Sequence, residues 1–253
     1  MTDLQDPYGV DDDRTTSPLR GRGFVLSAVL IVLILFAGAV VVTLNVLDDD
    51  SEPSGNPPET PSSTSPPADP EASICGLDAV KLTGGLVAKP TDVTWALAGR
   101  VALPSSDEHG PGRTDRGRYC FSRTPEGAVL AAASTYGWQT VADLRLALEH
   151  SVADGEGKEA ARDLLESAPD DTDLTGGALL QIRGFRVVTY TGSSAFVDLA
   201  AQGTVEGEST LLHQQFELVW EQGDWKLRMA PDGSAARTEA LPDLTGYVPW
   251  AGA

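Results

Sequence analysis

Four side chains in the last third of the chain are of types that do proton chemistry: Tyr190, Asp198, His213 and Glu217. A carboxyl group and a tyrosine facing each other in an apolar pocket can move a proton on a substrate, because burial separates their acidities. The spacing argues against such a pair here. In "STLLHQQFELVWEQ" (209–222), Leu212, Phe216, Leu218 and Trp220 share one strand face, so His213 and Glu217 point the other way. Asp198 shares a face with Phe196, which permits burial, yet Asp is rarely buried without a partner and reads as a solvated strand acid. Tyr190, near a strand end, reads as a half-buried aromatic. His109 falls in a Gly-rich loop and His150 at a helix end, with no special role expected of either. No catalytic, cofactor-binding or metal-ligating residue is assigned, and no cofactor is expected.

The chain that must position these groups is 253 residues long and carries a net charge of -19. Phosphate binding needs clustered Lys and Arg. Residues 1–23 hold five acids and three arginines, 48–73 seven acids and no base, and 74–253 25 acids and 15 bases. No segment is a basic patch, and nucleic acid is excluded as a partner.

Phe24 to Val46 is 23 residues without a charge, enough to cross a hydrocarbon core of about 30 Å. It is too long for a signal-peptide core, so residues 24–47 read as an uncleaved anchor in the lipid bilayer. Arg14, Arg20 and Arg22 precede it and Asp48 to Asp50 follow, placing residues 1–23 in the cytoplasm as an acidic tail. Residues 48–73 form a Pro/Ser/acidic linker, with seven prolines between Ser51 and Pro70. That composition predicts disorder and an extended spacer. The globular part, 74–253, then lies outside the membrane. There Cys75 and Cys120 are expected to form a disulfide, since two thiols cannot complete a zinc site and no His stands at ligand spacing.

Within the globular part the period of the apolar residues changes. Thr124 and Pro125 open a helix through Ala131–Ala133, a second starts after Thr140 with Val141, Leu144 and Leu148, and "GKEAARDLLESA" gives a third. That third helix puts Ala161, Leu164, Leu165 and Ala168 on one face. Four strand-like runs follow, at 178–190, 194–204, 209–222 and 224–230. "EQGD" joins the last two as a hairpin, which sets Trp220 opposite Trp225 and Glu217 opposite Arg228. Gly184 marks a bulge, because the apolar phase shifts there. Residues 102–118 read as a long loop, functional or disordered. The tail "LPDLTGYVPWAGA" carries Tyr247, Val248 and Trp250, which either dock on their own domain or form a partner surface. Docking is the default for an apolar tail.

The fold class is α+β, three helices on a curved antiparallel sheet, and the arrangement looks like an NTF2-like cone. The chain also resembles a family of actinobacterial membrane proteins from integrative conjugative elements. The likeness rests on the N-terminal span, the Pro-rich linker, "WALAGRVALPSSDEHGPG" (95–112), "CFSRTPEGAVLAAA" (120–133) and "GYVPWAGA" (246–253). Many members have a His where this chain has Arg123. More distantly it is similar to the bitopic assembly subunits of type IV secretion systems and to membrane proteins associated with mycobacterial-type lipid importers. The resemblance implies a non-enzymatic scaffold or accessory protein with membrane or envelope protein subunits as partners. The alternatives are a small-ligand-binding or isomerase-like cone and an extracytoplasmic sensor.

Overall fold

The computed structural model describes residues 72–252. The anchor at 24–47, the cytoplasmic tail and nearly all of the linker lie outside the described residues. No helix among the described residues is long and apolar enough to cross a membrane.

Among the described residues the first regular elements are a hairpin, β1 (Val93–Ala98) and β2 (Val101–Ser106), which forms a sheet of its own. The helices among the described residues are α1 (Pro125–Ser134), α2 (Val141–His150) and α3 (Glu156–Leu165). The main sheet consists of β3 (Leu179–Thr191), β4 (Ser194–Val205), β5 (Glu208–Glu221), β6 (Asp224–Leu227), β7 (Arg237–Ala240) and β8 (Val248–Pro249). Its order is β6-β5-β4-β3-β8 and every pairing is antiparallel. β6 takes Leu218–Glu221 of β5, and β7 takes Leu212–Gln215 of the same edge. Pro231 and Gly233 fall in the break between them.

Thr124 caps α1 by accepting the Gly127 N–H at 2.9 Å, and Pro125 supplies the first helical residue. Every residue of α1 except Glu126 is buried. A helix apolar all round belongs inside, and α1 contacts β2 as well as β3, β4, β5 and β6. A capping box between Thr140 and Asp143 starts α2. α3 stops at Leu165, short of the expected Ala168, and Leu164 is half exposed. The reason is the face it uses. Gly157 brings the first turn so close to the backbone of Met229 and Ala230 that a Cβ would sit 2.4 Å from a carbonyl oxygen, so Gly157 and Lys158 join the expected Ala161 and Leu165 on the inward face.

The four expected strands are β3 to β6. Gln222 and Gly223 both have positive φ, +55° and +76°, the geometry of a tight hairpin turn. That turn sets Trp220 opposite Trp225, and Glu217 meets Arg228 at 3.2 Å. The register of β3 against β4 shifts between Ile182 and Gly184. At this bulge a Cβ on Gly184 would lie 2.9 Å from the Val248 carbonyl oxygen, so the glycine admits β8. The Arg183 carbonyl accepts the Trp250 N–H at 3.0 Å. The indole of Trp250 then packs edge-on against Trp95 of the hairpin and Phe185 of the sheet, at 5.0 and 5.3 Å between centroids. The tail therefore docks. Tyr247 and Trp250 are buried in their own domain, so a partner surface at Tyr247, Val248 and Trp250 is not what the structure presents.

One further expectation changes, and the expected disulfide is present. The loop read at 102–118 begins as strand, since β2 runs to Ser106. The rest is held by backbone bonds between Ser106 and Gly110, Gly112 and Cys120, and Arg113 and Tyr119. The disulfide Cys75–Cys120 is formed, with its Cα atoms 6.2 Å apart. Cys120 has a φ of +72°, uncommon for a residue with a side chain. Asp224 stabilises that conformation: its buried carboxylate accepts the N–H groups of Cys120 at 2.6 Å, Phe121 at 2.7 Å and Trp225 at 2.8 Å. The Trp225 indole donates to the Ser122 carbonyl at 3.0 Å. The segment "CFSRT" is thus clamped onto the β5–β6 turn, and its role is to seat α1.

Candidate functional site

Where α1 ends, a 3-10 turn at Thr135–Gly137 leads Tyr136 and Trp138 over the inner face of the sheet. Opposite them stand Leu180, Leu212, Gln214 and Phe216. Gly203 of β4 has no side chain to fill the gap, and an apolar cavity of about 50 Å³ remains. Two buried polar atoms belong to side chains that line it. Among the described residues the Tyr136 hydroxyl has no hydrogen-bond partner, and neither has the Gln214 Oε1. The other end of the Gln214 amide is held, because its Nε2 donates to the Thr238 hydroxyl on β7 at 3.0 Å. Burial pushes the Tyr136 phenol well above its ordinary range, and the negative charge of Asp198 adds to the effect. Thr175, which also lines the cavity, donates to Asp173, which pairs with Arg100 at 2.6 Å. These bonds, the Thr175 hydroxyl first, bring the Asp173 carboxyl down to about 2.

A second constellation lies on the opposite face of the sheet. Asp198 is fully buried, contrary to the solvated strand acid read from the sequence. It has partners: Arg186, in register with it across β3 and β4, donates at 2.6 Å, and His213 Nδ1 lies 3.0 Å from the other oxygen. Glu239 of β7 stands 4.0 Å from His213 Nε2. The Arg186 guanidinium lies over the Tyr247 ring at 4.9 Å. The buried Tyr247 hydroxyl is off the geometry of a hydrogen bond. Burial, followed by the Asp198 carboxylate beside it, pushes its ionisation well up. The docked tail thereby closes over an ion cluster.

The four residues with proton chemistry are not brought together. Asp198 and His213 meet on the outer face, Glu217 pairs with Arg228, and the Tyr190 hydroxyl donates to the Lys81 carbonyl at 2.6 Å. None of them lines the cavity. His109 has a role after all: its Nδ1 lies 2.9 Å from the Ser122 hydroxyl, which ties its loop to the segment before α1. Its ring also gathers with Asp92 and Glu108, one ligand atom of each lying within 4.8 Å of the others. The Asp92 carboxylate already accepts from the Ser106 hydroxyl. His150 stacks on Tyr119 at 4.7 Å.

Sequence reasoning missed Tyr136 and Gln214 as site residues. Gln214 carried a signal, since it stands between Leu212 and Phe216 in the inward phase of β5, where a polar side chain needs a reason. Tyr136 carried none beyond its bulk.

These features define the class: an α+β domain whose central helix is seated by a disulfide-linked loop and whose sheet encloses a small apolar cavity. The chain belongs to the family described as Domain of unknown function (DUF8175), whose model matches residues 56–249. Neither a curated protein nor a solved structure matches it.

Proposed function

We propose that the chain is a membrane-anchored, non-enzymatic accessory subunit of a conjugation or secretion apparatus. Residues 24–47 hold it in the bilayer, and its globular part stands outside the membrane as an NTF2-like cone. The observation that carries the reading is the Cys75–Cys120 bridge, since such bonds persist in oxidising compartments. This agrees with the orientation read from Arg14, Arg20 and Arg22. The fold reading rests on α1 lying against a long antiparallel sheet, with the 3-10 turn that follows it over the cavity. A non-catalytic role is supported by the structural engagement of Asp198, Tyr190, His213 and Glu217.

A subunit needs a face to meet others. Val87 is 91% exposed and Leu97, at the end of β1, is 77% exposed. Leu97 pairs with Ala102 across the β1–β2 hairpin, and Val87 precedes that hairpin in the chain. A photo-crosslinking residue at Leu97 or Val87, activated in the native envelope, is expected to trap other membrane or envelope subunits. Recovery of monomer alone, under conditions that crosslink a known assembly, refutes the proposal.

A further inference from the structure

We propose that Asp92, Glu108 and His109 form a binding site for a divalent transition-metal ion of the zinc class. The site lies at the base of the β1–β2 hairpin, with Asp92 just before β1 and the other two shortly after β2. It does not depend on the assembly role proposed above. One ligand atom of each residue lies within 4.8 Å of the other two. Around a zinc ion with bonds of about 2.0–2.2 Å, tetrahedral donors stand roughly 3.4 Å apart. Asp92 and Glu108 are exposed, and a small rotation of their side chains closes the difference.

The imidazole is the fixed member. Its side chain is only 12% exposed, and Nδ1 lies 2.9 Å from the Ser122 hydroxyl and 3.3 Å from that of Thr124. With Ser122 accepting the Nδ1 proton and turning its own hydrogen to Thr124, 2.8 Å away, Nε2 keeps a free electron pair. Nε2 faces the Glu108 carboxylate at 4.0 Å. Metal-bound histidines are held in this way, by a hydrogen bond on the nitrogen that does not bind. Ser106 arranges the rest: its hydroxyl accepts the N–H groups of Glu108 at 3.2 Å and His109 at 3.0 Å, and donates to Asp92.

Charge and donor type narrow the ligand. Two carboxylates this close repel each other, and neither is paired with a Lys or Arg among the described residues. A cation between them removes the repulsion. An imidazole donor favours zinc-like ions over calcium and magnesium, which take oxygen ligands. Three protein donors leave a fourth place to water. The bound ion ties the two ends of the hairpin together and, through Ser122 and the Thr124 cap, joins them to the start of α1.

Zinc alone is the probe, titrated by calorimetry into the full-length chain in lipid nanodiscs, with protein-free nanodiscs as the control. One saturable site is expected, and it should persist in excess magnesium and calcium. Glu108→Gln and Asp92→Asn, both at exposed side chains, should each weaken it by at least about tenfold, since even an outer partner of a ligand is worth that much. The chain has three histidines. Long-range proton–nitrogen spectra of their rings should show zinc shifting His109 Nε2 and leaving His150 and His213 unmoved. Hydrogen exchange at 106–110 should slow with zinc in the wild type and not in Glu108→Gln. If zinc binds wild type and variants alike, or His109 does not shift, the ion sits elsewhere and the proposal falls. If excess calcium displaces zinc, the donor set is wrong. With no saturable binding, the three side chains make an ordinary carboxylate–imidazole contact and the proposal is overturned.

Discussion

Replacing Asp224 with Asn separates two opposing effects on one buried carboxyl group. Its position beneath the β5–β6 turn strips it of water, and burial pushes it up to about 7 against the pull of three backbone N–H donors. In the unfolded chain the same group titrates near 3.8. The folded protein therefore holds the proton more tightly, and stability is highest below the unfolded value. It falls as pH rises from about 4 to about 7, and is level above that. Between pH 5 and pH 8 the two titrations diverge by roughly two units, or roughly 3 kcal/mol at 1.36 kcal/mol per unit. Asn keeps a carbonyl for Phe121 and Trp225 but turns an amide N–H₂ toward Cys120, at a cost of about 1–3 kcal/mol, and it does not titrate. Chemical denaturation followed by tryptophan fluorescence, at pH 5 and pH 8 on both proteins, cancels every other titrating group. Wild type is expected to lead the Asn variant clearly at pH 5 and to lose that lead by pH 8. A lead that instead grows with pH would mean that the three N–H groups outweigh burial, and the argument would be refuted.

The remaining predictions follow from the packing. Cys75→Ser should destabilise the domain by about 4 kcal/mol on the chain-entropy estimate for cysteines separated by 45 positions, and the denatured, unreduced wild type should show no reactive thiol. Gly184→Val should drive β8 from the bulge, because its Cβ meets the Val248 carbonyl oxygen. The cost is about 1–3 kcal/mol, visible as faster hydrogen exchange at 247–250 while α1 stays protected.

How far the sequence could be read depended on the range of the contacts. α1 and α2 carry their own start signals in Thr124 and Thr140, and Gln222–Gly223 sets the β5–β6 register, so those elements were legible locally. β1, β2, β7 and β8 were not. Pro104 and Pro249 disguise two of them as turns, and β7 is a four-residue piece stabilised only by its place on β5. Asp198 was misjudged for a related reason. One partner, Arg186, lies on the neighbouring strand and another cover, Tyr247, comes from the far end of the chain, so nothing near Asp198 announces its burial. Lys226 makes the same point: a charged residue alternating with the apolar Trp225 and Leu227, it is nevertheless buried, with its ammonium bonded to Gln222 at 2.7 Å.

The bridge between Cys75 and Cys120 also decides where strain travels. A pull arriving from the N-terminal side reaches the domain at Ile74, whose N–H donates to the Gly223 carbonyl, and then at Cys75. From there the covalent shortcut delivers the load to the residue bound by Asp224, a few positions before the central helix. The intervening stretch, with the β1–β2 hairpin and its exposed Leu97, lies off that covalent path. A load entering from the N-terminal side can therefore pass to the central helix without crossing the hairpin.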